Sequence, residues 1–186
     1  VLSVPQGIFN ILLILGTLTI VLSALIGRLQ FDLKRLLAYS SISQVGYIIL
    51  GLGLGTPLGI LGAMFHLFNH GLMKSLLFFN AGSIEYATGT RDLREMSGID
   101  KKLRTTAITS MIASLSISGV PPFGGFFSKV IIILAAIQAQ KPVYGLIAAL
   151  ASILTLSMFL KVQKSLRQEE SSETQKGMAN PQKVPF

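Results

Sequence analysis

Long apolar stretches, separated by short polar connections, fill most of the chain and predict membrane-spanning helices. Each stretch reaches the roughly 17–25 residues that a helix needs to cross the hydrocarbon core of a bilayer. The last segment is polar, mixed in charge and poor in large apolar residues, and it predicts a polar tail. The pattern places five spans at about residues 7–27, 36–54, 58–84, 105–140 and 143–160, and the tail at residues 163–186.

The fourth apolar stretch, residues 105–140, is too long for one straight helix across a bilayer. A continuous helix of this length would measure about 54 Å, whereas the hydrocarbon core is only about 30 Å thick. Near its centre, Pro121 and Pro122 remove two backbone donors, and Gly124 and Gly125 add flexibility. We therefore predict a fourth helix that is discontinuous at the two prolines, a form typical of ion sites in transporters. A simple proline kink is the alternative.

The composition agrees with a membrane protein and excludes several kinds of site. The 186 residues are 51% hydrophobic and only 13% charged, about half the charged share that is usual in soluble domains. The absence of cysteine excludes disulfides, thiol catalysis and cysteine-ligated metals. The net charge of +8 is more typical of loops that fix membrane topology than of nucleic-acid binding, so we expect the lipid bilayer and no nucleic acid as a partner.

The distribution of basic residues predicts the orientation of the chain. With the N-terminus outside, the regions inside the cell are residues 28–35, 85–104 and 161–186. They contain every Lys and Arg except Lys74, Lys129 and Lys141, and an excess of basic residues marks cytoplasmic loops. We therefore predict an all-α, multi-pass protein of a bacterial or archaeal plasma membrane. Its N-terminus is expected outside, and its C-terminal tail in the cytoplasm.

Three ionisable residues recur every four positions in the third stretch, within the sequence FHLFNHGLMKSLLFF. This spacing places His66, His70 and Lys74 on one face of a helix. A lysine near the bilayer centre costs about 2.5–3.5 kcal/mol, and burial disfavours the charged ammonium, so Lys74 is suited to release and regain a proton. We predict a proton pathway along this face that continues to Lys129 in the broken helix. The alternative is a polar face that merely packs against another helix.

The second stretch begins with residues that suit the cytoplasmic opening of such a pathway. Lys34 and Arg35 precede Ser40, Ser41, Ser43 and Gln44, whose side chains are able to order water between the cytoplasm and the interior. Small polar residues also commonly serve only to pack membrane helices. Both interpretations remain open for these residues.

Across residues 30–135, the chain resembles the antiporter-like proton-channel subunits of respiratory complex I, membrane-bound hydrogenases and multi-subunit cation/proton antiporters. The resemblance rests on the segments DLKRLLAYSSISQVGYIILGLG, HLFNHGLMKSLLFFNAGSIEYATGTRDLREMSGI and SGVPPFGGFFSKVIII. It implies a fold of two inverted five-helix repeats, each with one discontinuous helix, of which this chain matches the second repeat alone. It also implies that His70 and Lys74 connect the pathway, that His66 belongs to the same stripe, and that Lys129 is the terminal protonatable residue.

The resemblance carries expectations about partners and cofactors. The first repeat is expected from elsewhere, because the chain is either one half of a split subunit or a fragment. Further partners are other membrane subunits and peripheral redox subunits. No cofactor is expected in this chain: two histidines on one helix and no membrane carboxylate make a poor metal site. Iron–sulfur clusters, flavin or a nickel–iron centre are expected only in partner subunits.

The sequence therefore predicts a membrane subunit of a redox-driven, ion-translocating oxidoreductase complex. This chain would contribute part of a proton, or coupled sodium/proton, pathway and no redox centre of its own. Two alternatives stay open. One is a non-conducting structural subunit that braces a neighbouring channel subunit, and the other is a subunit of a stand-alone cation/proton antiporter.

Overall fold

The computed structural model describes residues 5–167, and the regular structure of that part is helical apart from one isolated bridge between Asp32 and Asp92. The described part contains seven helices: α1 Gln6–Leu29, α2 Leu33–Gly53, α3 Pro57–Thr88, α4 Ile99–Lys102, α5 Arg104–Ser118, α6 Gly124–Gln138 and α7 Pro142–Arg167. The all-helical class predicted from the sequence is confirmed.

Three of these helices, α1, α2 and α7, are long and apolar enough to cross a membrane. Helix α3 has 32 residues, but its polar stripe makes it less apolar. Helices α5 and α6 have 15 residues each, about 22 Å, so neither is long enough to cross a core of about 30 Å alone. The count of five crossings and the single interrupted fourth crossing therefore stay predictions.

The end of α7 differs from the sequence pattern, which starts the polar tail at residue 163. Residues 163–167 continue the helix, because Ser165 and Leu166 are buried and Leu166 packs into the core around α2, α3 and α5. The rest of the predicted tail, residues 168–186, lies outside the described residues.

Local capping residues explain where the helices begin and end. Asp32 accepts a hydrogen bond from the backbone N–H of Arg35 at 2.8 Å and begins α2. Thr56 caps α3 in the same way and is followed by Pro57 at the first helical position. Gly119 ends α5 with φ of 86°, a left-handed conformation that favours glycine.

Small residues allow α1 and α2 to pack with their backbones almost in contact. A Cβ at Gly16 would lie 2.7 Å from the backbone nitrogen of Leu50, and a Cβ at Gly46 would lie 2.8 Å from that of Ile20. Close approach through small residues is typical of helix packing in membranes. It places α2 between α1 and α3, so Ser40 and Gln44 of α2 face α3.

A network of loop contacts joins the ends of α1, α3 and α7 at one end of the helices. The backbone N–H of Leu93 donates to the carbonyl oxygen of Phe31 at 2.9 Å, and Lys161 Nζ donates to the carbonyl oxygen of Gln30 at 2.7 Å. Nearby, Arg94 donates hydrogen bonds to the side chain of Asp92 and lowers the pKa of that carboxyl to about 2. The helices are therefore held in register at this end by polar contacts outside the apolar core.

Candidate functional site

Between residues 57 and 74, α3 turns most of its small and ionisable residues inward and its large apolar residues outward. Gly62, Ala63, His66 and Lys74 are buried, whereas Phe68 is 65% exposed. A Cβ at Gly62 would lie 2.9 Å from a side-chain carbon of α6, so the small residues let α6 approach closely. Two residues of the ionisable stripe consequently face the protein interior: His66 contacts α2 and α6, and Lys74 contacts α2.

Lys74 is buried between α3 and α2, where only neutral oxygens bind its amino group. Nζ donates to the carbonyl of Leu37 at 2.8 Å and to the hydroxyl of Ser40, and it lies 5.7 Å from the ring centre of Phe159. Within residues 5–167, no carboxylate forms an ion pair with it. The Ser40 hydroxyl is also 2.8 Å from the Leu37 carbonyl. A neutral Lys74 amine therefore has both an acceptor and a donor within reach.

His66 is 1% exposed and has a hydrogen-bond partner on each ring nitrogen. Nδ1 lies 2.8 Å from the hydroxyl of Ser128 on α6, and Nε2 lies 3.2 Å from Oε1 of Gln44 on α2. The ring of Tyr47 packs against the imidazole with 5.5 Å between the ring centres. The imidazole therefore bridges α2 and α6, and its orientation is fixed from both sides.

Lys129 reaches from α6 to the free carbonyl end of α5. Nζ donates to the carbonyls of Ile117 at 3.0 Å and Ser118 at 3.3 Å, and it lies 4.6 Å from the ring centre of Tyr47. The last carbonyls of a helix have no partner within the helix and carry partial negative charge. The end of α5 thus supplies the acceptors that let a lysine be buried at 3% exposure.

His70 lies between His66 and Lys74 along α3 and is half-buried. Its Nε2 is shielded from solvent and has no hydrogen-bond partner within the part of the chain that the structure describes. His70 lies one helical turn from His66 and one from Lys74 along α3, and the ring of Tyr47 lies against both His66 and Lys129. These four groups are defined here as the ionisable line: Lys74, His70, His66 and Lys129.

The segment between α5 and α6 allows this close packing. A Cβ at Gly125 would overlap the carbonyl oxygen of Ser116, and a Cβ at Gly124 would overlap the side chain of Asn69. Pro121 and Pro122 are exposed and precede α6. The two glycines therefore bring the first turn of α6 against both α5 and α3.

A family model described as NADH:quinone oxidoreductase/Mrp antiporter, transmembrane, matches residues 2–155. The chain belongs to this family of antiporter-like membrane subunits. The resemblance predicted from the sequence is therefore confirmed.

Curated relatives of this antiporter-like chain come from different kinds of complex. It is 40% identical over 158 residues to a Na⁺/H⁺ antiporter subunit of Alkalihalophilus pseudofirmus, covering 85% of this chain and 32% of the relative. It is 43% identical over 133 residues to an NADH-quinone oxidoreductase subunit of Desulforudis audaxviator, covering 72% and 26%. It is 38% identical over 156 residues to an F420H2 dehydrogenase subunit of Methanosarcina mazei, covering 84% and 31%. The chain spans about a third of the length of these relatives.

Solved structures of membrane complexes also contain chains that superimpose on this one. A chain of the Mrp complex from Dietzia sp. superimposes with a TM-score of 0.86 at 31% identity, covering 89% of this chain and 31% of that one. A chain of an archaeal membrane-bound sulfane sulfur reductase superimposes with a TM-score of 0.83 at 36% identity, covering 90% and 28%. These neighbours are multi-subunit membrane complexes, and the all-helical fold of the antiporter-like chain matches part of one of their subunits.

The residues predicted for the cytoplasmic opening are dispersed in this antiporter-like chain. Lys34 forms an ion pair with Glu85 at 2.5 Å, and Arg35 is exposed. The hydroxyl of Ser41 donates to a carbonyl of its own helix. Ser40 and Gln44 join the ionisable line, at Lys74 and at His66, deep between the helices. An opening at these residues stays a prediction.

Two partners of the ionisable line were not singled out from the sequence: Tyr47 and Ser128. One signal was available, since Ser40, Gln44 and Tyr47 follow each other at spacings of four and three and share a helix face. Ser128 precedes Lys129 and has no comparable pattern. In the described part of the chain, no group of three His, Asp or Glu side chains is arranged to hold a metal ion.

Proposed function

We propose that this antiporter-like chain forms part of a proton, or coupled sodium/proton, pathway in a membrane complex. The observation that supports it most is the ionisable line, in which two buried lysines and two histidines connect α3 to α6. A buried cation is costly in a membrane. Two of them in one line are hard to explain by packing alone.

The ligands of Lys74 support proton transfer more than permanent charge. An ammonium group donates to carbonyl and hydroxyl oxygens. A neutral amine donates to the carbonyl and accepts from the hydroxyl, as Leu37 and Ser40 permit at Lys74. Either protonation state is therefore satisfied without a large movement. A proton would pass along Lys74, His70, His66 and Lys129, and charge changes in neighbouring subunits would drive it.

We further propose that the chain crosses the membrane five times, with its N-terminus outside and its C-terminus inside. Helices α5 and α6 would together form the fourth, interrupted crossing. Two features support this layout: the basic residues concentrate at one end, and the contact of Lys129 with the end of α5 holds the two halves together. The layout corresponds to one repeat of the inverted-repeat antiporter fold.

Partner subunits complete the proposed complex. The other repeat comes from outside this sequence, on a separate subunit or in a longer form of the same polypeptide, and peripheral subunits carry the redox centres where the complex is an oxidoreductase. The relatives with NADH-quinone oxidoreductase and F420H2 dehydrogenase names support a redox-driven complex in a bacterial or archaeal cell membrane.

The first experiment removes the amino groups from the ionisable line. The complex is purified through a tag on this chain and reconstituted into liposomes. Lumenal pH is then followed with a trapped dye while the copurified redox subunits oxidise their donor. We expect Lys74→Ala and Lys129→Ala to lose most of the proton flux. Lys141→Ala, a control on an exposed contact with Asn10, should keep it.

The outcome separates a pathway from a structural role. Intact complexes with wild-type pumping in both alanine variants would refute the pathway. Reduced assembly with unchanged flux per assembled complex would favour the bracing role.

The second candidate function is a subunit of a cation/proton antiporter. The 40% identity to a Na⁺/H⁺ antiporter subunit favours it. The same liposomes separate the two functions, because an antiporter subunit supports proton flux driven by an imposed sodium gradient without any electron donor. A redox-driven complex requires the donor.

A further inference from the structure

The two ring nitrogens of His66 have partners with different hydrogen-bonding abilities. Oε1 of Gln44 only accepts hydrogen bonds, so Nε2 must donate to it across 3.2 Å. A neutral imidazole carries one proton, and that proton is therefore on Nε2. Nδ1 consequently holds the free lone pair and accepts from the Ser128 hydroxyl at 2.8 Å.

The Ser128 hydroxyl has a second acceptor within reach. Its oxygen lies 3.1 Å from the carbonyl oxygen of Gly125, one turn earlier in α6. A hydroxyl has a single proton, so it donates to only one of the two acceptors at a time. When His66 is neutral, Ser128 donates to Nδ1. When His66 is protonated, Nδ1 donates to Ser128 and Ser128 donates to Gly125.

Both arrangements satisfy His66, Ser128 and Oε1 of Gln44 without moving a heavy atom, and within residues 5–167 Nε2 of Gln44 has no partner in either. Because Gln44 occupies Nε2 and Ser128 occupies Nδ1, a proton that reaches the imidazole lone pair must come through the hydroxyl. We propose that Ser128 is the relay hydroxyl through which His66 gains and loses its proton, and that Gln44 is the positioning residue that keeps this lone pair directed at Ser128. The inference rests on the proposed function and adds two residues with stated roles to it.

The transfer of a proton to His66 leaves Ser128 chemically unchanged. The Oγ–H bond of Ser128 breaks and its proton forms the Nδ1–H bond of His66. The oxygen takes one proton from a donor, either a protonated water or the ammonium group of a lysine. The new hydroxyl proton then turns to the Gly125 carbonyl. Ser128 ends neutral and unchanged, and His66 ends as imidazolium. The charged or titratable groups around it are Tyr47 on α2, Lys129 on α6 and His70 on its own helix.

Substitutions at Ser128 test the relay in the reconstituted complex described above. Ser128→Ala should lower proton flux at least tenfold, within the range lost when a proton-transfer group is removed. Ser128→Thr keeps a hydroxyl and should restore much of the flux. The matched control is Ser43→Ala, which removes another fully buried serine whose hydroxyl donates to the Ile20 carbonyl and does not touch His66.

A second measurement tests the hydrogen bonds without transport. The sequence contains only two histidines, so a complex with His70→Gln and ¹⁵N-histidine in this chain shows His66 alone by solid-state NMR. We expect the neutral ring to carry its proton on Nε2 and to show a hydrogen-bonded Nδ1. Ser128→Ala should remove the Nδ1 hydrogen bond, and Gln44→Leu should relax the preference for this tautomer.

The results distinguish this inference from the proposed function. If His66→Gln abolishes flux while Ser128→Ala keeps wild-type flux, the pathway stands and the relay hydroxyl is refuted. If both variants keep wild-type flux, the pathway fails and the relay with it. A proton found on Nδ1 of neutral His66 would also overturn the inference. The Ser128 hydroxyl would then face an N–H group, and no lone pair of Nδ1 would be available for it to protonate.

Discussion

Gly125 is the position where one added methyl group should disturb the site most. A Cβ there would overlap the carbonyl oxygen of Ser116 and lie 2.8 Å from its carbonyl carbon. Both are backbone atoms of α5, so they are unable to turn aside as a side chain does. Gly125→Ala must therefore push α5 and α6 apart.

The size of the effect follows from two opposing contributions. Overpacking a well-packed interior typically costs about 1–3 kcal/mol, and we expect the upper end because backbone meets backbone. Replacing glycine by alanine inside a helix stabilises the helix by up to about 1 kcal/mol. The net destabilisation is then about 1–2 kcal/mol, which corresponds to a fall in Tm of roughly 2–8 °C for a chain of this size.

The same displacement should lower proton flux, since it lengthens the contacts that cross from α6. Ser128 and Lys129 lie one turn beyond Gly125 and reach His66 and the end of α5 over 2.8 and 3.0 Å. The assay is thermal unfolding of the purified complex, followed by size-exclusion chromatography, together with proton flux in liposomes.

Two other glycines provide matched controls for this substitution. Gly124→Ala meets the side chain of Asn69, which can change its rotamer, so the loss should be smaller. Gly71→Ala has no atom within 4 Å of the added carbon and should leave Tm unchanged or slightly raised. Equal Tm and flux for Gly125→Ala and Gly71→Ala would refute the packing argument.

Three further predictions concern stability. Tyr47→Phe removes hydrogen bonds with the Ala148 carbonyl and a serine hydroxyl but keeps the ring, so it should cost about 1 kcal/mol by thermal unfolding and leave flux largely intact. Gly46→Ala should lower Tm, because the methyl group would lie 2.8 Å from a backbone nitrogen of α1. Asp92→Asn should lower Tm near neutral pH. Since Arg94 lowers the pKa of Asp92 from 3.8 to about 2, the wild-type advantage is complete above pH 3.8 and should shrink as the pH falls towards 2.

The sequence was sufficient to predict that the face of α3 that carries His66 and Lys74 would pack against protein. A four-residue repeat of ionisable groups in an apolar helix has one low-energy solution, in which that face packs against protein. Burial of His66 and Lys74 agrees with this reasoning. The spacing says nothing about the neighbour at each group, because that depends on how α2 and α6 cross α3.

The partners of the line could not be predicted for this reason. Ser40 and Ser41 are adjacent and chemically identical, yet their side chains differ by about 100° around the helix axis. Only the packing of α2 against α3 decides that Ser40 contacts Lys74. Ser128 is 62 residues from His66 in sequence, and Gln44, which we associated with the cytoplasmic opening, reaches His66 for the same geometric reason.

The break between α5 and α6 illustrates a different limit. Prolines and glycines indicate where a helix ends, and α5 and α6 are separate helices on either side of residues 119–123. They do not indicate which side chain will satisfy the carbonyls that the break leaves free. That role falls to Lys129, because the first turns of α6 pack beside the end of α5.

The contrast between Lys34 and Lys74 supports the proposed role of the buried lysines. Lys34 lies at the start of α2 and pairs with Glu85 across 2.5 Å, and a carboxylate favours the charged form of its partner. Lys74 has only a carbonyl, a hydroxyl and an aromatic ring around Nζ, ligands that accommodate the ammonium and the amine alike. Lys129 likewise has neutral ligands, two carbonyl oxygens and an aromatic ring. If these lysines served only to pack helices, a buried carboxylate partner or an apolar residue would stabilise the bundle at least as well. Neutral oxygens around a lysine Nζ suit a group whose proton has to leave and return.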